Sequence, residues 1–98
     1  MIIIAGYVLS DASKRDASVA AFADMIERAR KHDGCLDFSI SADSVDSSRV
    51  NLFECWRDQK CLTVWRKVAK SLKVKRPNVK RREIHVKLYR SDKAEKPF

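Results

Sequence analysis

The segment Asp33–Asp58, DGCLDFSISADSVDSSRVNLFECWRD, decides the fold. It reads as a glycine stop, a strand, a polar turn, a second strand and the start of a helix. Over Cys35–Ala42 the alternation sets Leu36, Phe38 and Ile40 inward and Asp37, Ser39 and Ser41 outward. Asp43–Ser48 is rich in Ser and Asp, the composition of a solvated turn. Arg49–Trp56 then alternates Asn51, Phe53 and Cys55 against Val50, Leu52, Glu54 and Trp56, with less contrast between its faces. Asp58 is placed to cap the helix that follows.

Working outward, Ile2–Leu9 reads as a first strand with Ile3, Ala5, Tyr7 and Leu9 on one face and Ile2, Ile4, Gly6 and Val8 on the other. Neither face is polar, so both are expected to be covered. A single long helix is expected from Ser13, with Ser13 and Asp16 as an approximate capping box. Its apolar stripe is Val19, Phe22, Met25, Ile26 and Ala29, its last turn is basic, and Gly34 is its left-handed stop. Cys61, Trp65, Val68 and Leu72 mark the buried stripe of the second helix, which must finish by Pro77. Lys73–Arg82 reads as a basic loop. Glu83–Tyr89 reads as a last strand burying Ile84, Val86 and Leu88 and turning His85, Lys87 and Tyr89 the other way.

The order is βαββαβ, an α+β, ferredoxin-like plan. Residues 1–90 form one domain, and 91–98, which lack any pattern, form a mobile C-terminal tail. One helical layer covers only one face of such a sheet. A second copy of the chain is therefore expected on the other, making a homodimer.

Composition narrows the function classes. The chain has 98 residues, 45% of them hydrophobic, and no apolar run approaching the roughly 20 residues of a membrane helix. Met1–Leu9 lacks a positive leader region and a cleavage site, so the protein is expected to be cytoplasmic, with no membrane partner. Cys35, Cys55 and Cys61 are odd in number and lack ligand spacing, and His32 and His85 belong to different elements; no metal is expected. Packing is the expected role of all three thiols. Charge is unevenly spread. Residues 1–56 carry six Lys and Arg against nine Asp and Glu, whereas residues 57–90 carry thirteen against two. Such a basic half suits an anionic substrate or partner, or is simply a solvated face. Nucleic acid is the less favoured partner, because no exposed aromatics are interleaved with the cations.

IIIAGYVL, DGCLDFSISAD and RVNLFECWRDQKCL together resemble the antibiotic biosynthesis monooxygenase family, from Met1 to about Trp65. The resemblance is carried most strongly by Gly34–Phe38 and Phe53–Trp56. It implies a dimeric α+β barrel and oxygenation of a hydroquinone, anthrone or related polycyclic phenol by dioxygen without a cofactor. It does not extend to the family's haem-degrading relatives, since no His lies between Trp65 and Ile84 to hold iron. Anthrone oxygenases of the family carry an Asn four residues before the Trp that resembles Trp56. Asn51 is five before it, and one residue of offset turns a strand side chain to the opposite face unless a bulge intervenes.

Such chemistry needs an apolar pocket for the rings and one or two polar groups for the proton and the oxyanion. The candidates for the polar role are His85, Asn51 and Tyr7; those for ring binding are Trp56, Trp65 and Phe38. Each has a plainer reading: core for the two Trp and Phe38, an internally satisfied amide for Asn51, a surface imidazole for His85 and interface packing for Tyr7. A non-catalytic dimeric module sensing a small anion or nucleic acid through the basic half is the alternative function.

Overall fold

In the computed structural model, residues 1–72, 74 and 83–98 are described. Four strands, β1 (Ile2–Leu9), β2 (Cys35–Ala42), β3 (Arg49–Trp56) and β4 (Glu83–Arg90), form one antiparallel sheet in the order β2-β3-β1-β4. Three helices, α1 (Arg15–Ala20), α2 (Ala23–Arg30) and α3 (Gln59–Ser71), pack on one side of it, against β2 and β3. This is the ferredoxin-like α+β arrangement.

The register shows which side chains share a face. Leu88, Ile4, Glu54 and Phe38 form one row across the four strands, and Val86, Gly6, Leu52 and Ile40 form the next. Both rows face the helices, because Ile2, Ile4, Phe38 and Trp56 of this parity are buried with Ala29 of α2 and Cys61, Leu62 and Trp65 of α3. Full burial of Leu62 alone contributes about 1.5–3 kcal/mol. The opposite face carries Ile3, Ala5, Tyr7 and Leu9 of β1, Asn51, Phe53 and Cys55 of β3, and His85, Lys87 and Tyr89 of β4.

Gly6 has a φ of +149°, and a Cβ there would lie 1.9 Å from the His85 carbonyl oxygen. Only glycine permits β4 to approach β1 this closely.

Several sequence expectations are corrected. The first helix is two helices, because the Phe22 amide donates to the Val19 carbonyl and turns the chain through a tighter i→i−3 step. Ser13 caps neither; its amide and hydroxyl both donate to Asp11 Oδ1, and the residue preceding α1 is Lys14, without a side-chain cap. Helix α2 ends at Arg30, and Gly34, at φ +79°, serves the turn into β2 instead. Leu36 is exposed, because a register shift between Cys35 and Asp37 breaks the alternation there. Ile84 and Leu88 do face the helical side, but β4 is an edge strand beyond the helical cover and they stay 58% and 39% exposed. Val68 lies at the margin of α3's buried stripe and is 36% exposed. The expected Asp58 cap is present, accepting from the Cys61 amide at 2.9 Å. The basic Lys73–Arg82 segment, expected as a loop, lies outside the described residues but for Val74.

The Asp43–Ser48 turn is more ordered than its composition implied. Asp43 accepts from the amides of Val45 and Asp46, and Arg15 reaches across from α1 to the Asp46 carbonyl at 2.7 Å. The tail begins where Ser91 and Met1 exchange backbone hydrogen bonds of 3.0 and 2.8 Å, and Phe98 at its end is fully exposed.

Candidate functional site

The six side chains singled out from the sequence divide three and three across the sheet. Phe38, Trp56 and Trp65 come together on the helical side. Trp56 and Trp65 stack with centroids 6.0 Å apart, and Phe38 meets Trp65 at 5.9 Å and Trp56 at 6.5 Å, edge to face. His32, from the turn after α2, closes the cluster, 5.5 Å from Trp65 and 6.2 Å from Trp56. All three apolar rings are at least 97% buried.

Glu54 belongs to this same inner surface. It stands two residues before Trp56 and therefore on the same face of β3, between Ile4 and Phe38 in its row. The Trp56 indole Nε1–H donates to Glu54 Oε1 at 3.0 Å. Burial pushes the carboxyl above its ordinary value of 4.5, against the opposing pull of the Trp56 hydrogen bond and the Arg66 charge. Desolvation wins. The result is a proton-carrying group in an apolar, aromatic-lined environment, with half-buried Leu52, Leu72 and Val86 packed nearby on the same core. Sequence reasoning passed over Glu54. Its signal was an acid at an inward position, in the series Val50, Leu52, Glu54, Trp56.

Tyr7, Asn51 and His85 lie on the other face. Tyr7 and His85 stack at 4.7 Å, and the Arg49 guanidinium sits 3.9 Å above the Tyr7 ring. Asn51 is committed on both sides of its amide, accepting from Arg49 Nε at 2.7 Å and donating to Asp43 at 2.9 Å. Strand β3 runs in regular register with β1, so no bulge turns Asn51 toward Trp56. His85 pairs with Glu83 at 2.7 Å across one residue of β4. Asp43, which closes this network, is lowered to about 2, first by the Asp46 amide and then by the Asn51 and Val45 hydrogen bonds. These groups hold one another in place, and none shares a compartment with the tryptophans.

Cys61 is buried beneath Gly34, with Arg57 donating to its sulfur at 3.0 Å. Burial raises its thiol, which disfavours the reactive thiolate. Burial raises Cys35 and Cys55 too. Among the described residues, no group of three His, Cys, Asp or Glu side chains is placed to hold a metal ion. A shallow surface groove of about 450 Å³ runs beside α2, lined by Ala23, Ile26, Glu27, Arg30 and Lys31. It is remote in character from the aromatic cluster: open, polar-rimmed, and with its one carboxylate paired to Lys31 at 3.7 Å. Among the described residues, no helix is long and apolar enough to cross a membrane.

A family profile described as antibiotic biosynthesis monooxygenase matches residues 1–76. No curated protein sequence matches the chain significantly. Solved structures share its fold over nearly their whole length. A Deinococcus radiodurans protein provisionally described as an antibiotic biosynthesis monooxygenase superposes with a TM-score of 0.71 at 19% identity, covering 100% of this chain and 99% of its own. A Shewanella oneidensis protein gives 0.70 at 22% identity, over 90% of this chain and 87% of its own. A third structure, described as an antibiotic biosynthesis monooxygenase, gives 0.63 at 17%, over 93% and 98%. At these identities the structures speak for the fold alone.

Proposed function

Because the chain belongs to the antibiotic biosynthesis monooxygenase family, we propose that it oxidises a hydroquinone, anthrone or related polycyclic phenol with dioxygen and without a cofactor. The observation that carries this reading is the Glu54 carboxyl, raised by burial and held by the Trp56 indole on an aromatic-lined inner surface. Trp56, Trp65 and Phe38 are the aromatic core that backs Glu54 and keeps water from it. Glu54 is the proton acceptor. Its burial brings the carboxyl closer to working pH, where a base combines availability with driving force.

For an anthrone the steps balance as follows. Ionised Glu54 takes a proton from the ring methylene, and the resulting anthrolate passes one electron to dioxygen. The carbon radical and superoxide combine to a peroxide, the O–O bond breaks, and the methylene becomes a carbonyl while the second oxygen atom leaves as water. The electrons come from the substrate itself. The apolar surroundings keep water from the charged intermediates.

In this reading the molecule works as a cytoplasmic homodimer. Among the described residues no helix packs on the face bearing Ile3, Ala5, Leu9, Phe53 and Tyr89, and a second copy covers it; three free cysteines suit a reducing compartment. Tyr7, Asn51 and His85 then belong to the subunit interface. The test is oxygen uptake with a panel of hydroquinones and anthrones, with chelator present and no flavin added. Consumption with formation of the oxidised product supports the reading. A full panel without uptake, from protein that is folded and dimeric, rejects it.

A further inference from the structure

The two edges of the sheet are built differently. β2 is closed at its middle: the Phe38 amide donates to Asp37 Oδ1 at 2.8 Å, and Arg30 Nε donates to the Phe38 carbonyl at 2.8 Å. Its register is also shifted between Cys35 and Asp37. Bulges and side chains that occupy backbone groups are means by which an edge refuses another strand. β4, the other edge, runs in unbroken register and carries no such block among the described residues.

The direction of its backbone groups follows from the ladder to β1. Met1 and Ser91 exchange hydrogen bonds of 2.8 and 3.0 Å, and the pairing continues from there without a shift. Opposed residues of an antiparallel ladder alternate between those that exchange such bonds and those that do not. Tyr89, Lys87, His85 and Glu83 therefore turn their amides and carbonyls to β1, and the closeness of the His85 carbonyl to Gly6 agrees. Ile84, Val86, Leu88 and Arg90 turn theirs outward. Among the described residues nothing bonds those outward groups. The side chains of Ile84 and Leu88, beyond the helical cover, are exposed, and Val86 stands half-buried between them.

We propose that the outer edge of β4 pairs with β4 of a second copy, antiparallel about a two-fold axis through Val86, so that two sheets join into one. In that register Val86 faces the partner's Val86 and Ile84 faces the partner's Leu88, each pair exchanging two backbone hydrogen bonds. The apolar side chains that the helices leave uncovered then meet in one row on the helical side. On the opposite side Glu83, which holds His85 at 2.7 Å, lies diagonal to the partner's Lys87. Other registers lose this match. Sliding the partner by one residue sets apolar side chains against charged ones. Sliding it by two sets Lys87 against its own copy and Ile84 against an arginine, or sets His85 against its own copy and leaves Leu88 unmatched.

This contact lies on a different surface from the face-to-face contact and depends neither on it nor on the oxygenase reading. One strand pair buries less than the roughly 1,000 Å² of a stable interface, so it fills only at high protein concentration. Sedimentation equilibrium at about 10 µM and about 500 µM therefore tests it, by mass action. The species at the higher concentration is expected to have twice the mass of that at the lower. Val86→Pro removes an outward amide and leaves the bonds to β1, and Ile84→Lys places a charge in the apolar row. Both variants are expected to keep the low-concentration mass and lose the doubling; Ile84→Lys decides if the proline variant does not fold. Phe53→Glu, on the sheet face, is expected to retain the doubling, from monomer to dimer, so the two contacts fail separately. An unchanged wild-type mass overturns the proposal. So does a doubling that survives Ile84→Lys, or one that Phe53→Glu abolishes while both edge variants behave as wild type.

Discussion

Glu54 and Trp56 stand two residues apart on β3, and the Trp56 indole N–H donates to the Glu54 carboxylate at 3.0 Å. The alternation of a strand puts both on the helical side, so in the proposed site one residue supplies an aromatic ring and the other the proton-carrying group. Across the sheet, Tyr7 and His85 form a separate stack of their own. A thickness of sheet separates the two possible proton acceptors, and that makes them separable by experiment.

Replacing Glu54 with Gln keeps the shape and an acceptor for the Trp56 indole while removing the titrating group. Turnover of a hydroquinone or anthrone is expected to fall by about 10²-fold or more, the usual contribution of a positioned base. His85→Ala, on the other face, is expected to leave kcat close to wild type. Steady-state oxygen uptake decides the matter; the reverse ranking would move the site to the open face.

Two of the shifted carboxyls, Glu54 and Asp43, give stability opposite dependences on pH. Glu54 is raised in the folded state, so the native protein favours its neutral form. Stability falls as pH rises from 4.5 through the folded value, and Glu54→Gln should gain on the wild type over that interval. Asp43 is lowered from 3.8 to about 2, so its contribution is complete above 3.8 and is lost as pH falls toward 2. Asp43→Asn should therefore be less stable than wild type at neutral pH, with the gap closing below pH 3.8. Urea titrations across pH 2–8 of all three proteins measure both slopes.

Gly34 combines a φ of +79° with a Cβ position 2.3 Å from the Cys61 sulfur. Gly34→Ala is expected to cost at least about 1–3 kcal/mol from backbone conformation, with the clash against α3 adding to it. Chemical denaturation checks this. A loss well below 1 kcal/mol would show that the turn into β2 relaxes without cost.

Phe53 is 38% exposed on the sheet face opposite α1, α2 and α3. If a second copy covers that face, Phe53→Glu buries a carboxylate in the interface and should shift the protein to monomer in analytical ultracentrifugation. A wild type that sediments as a monomer at micromolar concentration would remove the dimer, and a variant that still sediments as a dimer would remove this face as its interface.

Much of the architecture was legible because it depends on local pattern. The turn chemistry of Asp43–Ser48 and the alternation on either side of it marked β2 and β3, and Asp58 marked the start of α3. Leu36 misled because a bulge adds a residue to one strand without any trace in the hydrophobic pattern. Ile84 and Leu88 misled because their parity is correct but the helices cover β2 and β3 and leave β4 at the edge. The six candidate side chains were legible as residue types and not as a spatial set. Trp56, Trp65 and Phe38 pack together in the core, as their plainer reading had it. Tyr7, Asn51 and His85 were grouped with them on chemical type, and the sheet separates them.

The order of elements, the strands and their two faces follow from sequence alone, because side-chain parity in a strand is a property of neighbouring peptide units. Which face acquires the helical roof is not, because it depends on contacts between residues far apart in the chain. That placement buries Glu54 against Ile4, Phe38 and Trp56 and leaves His85 half in solvent. A carboxyl's proton affinity follows its solvation, and only the assembled layers set that.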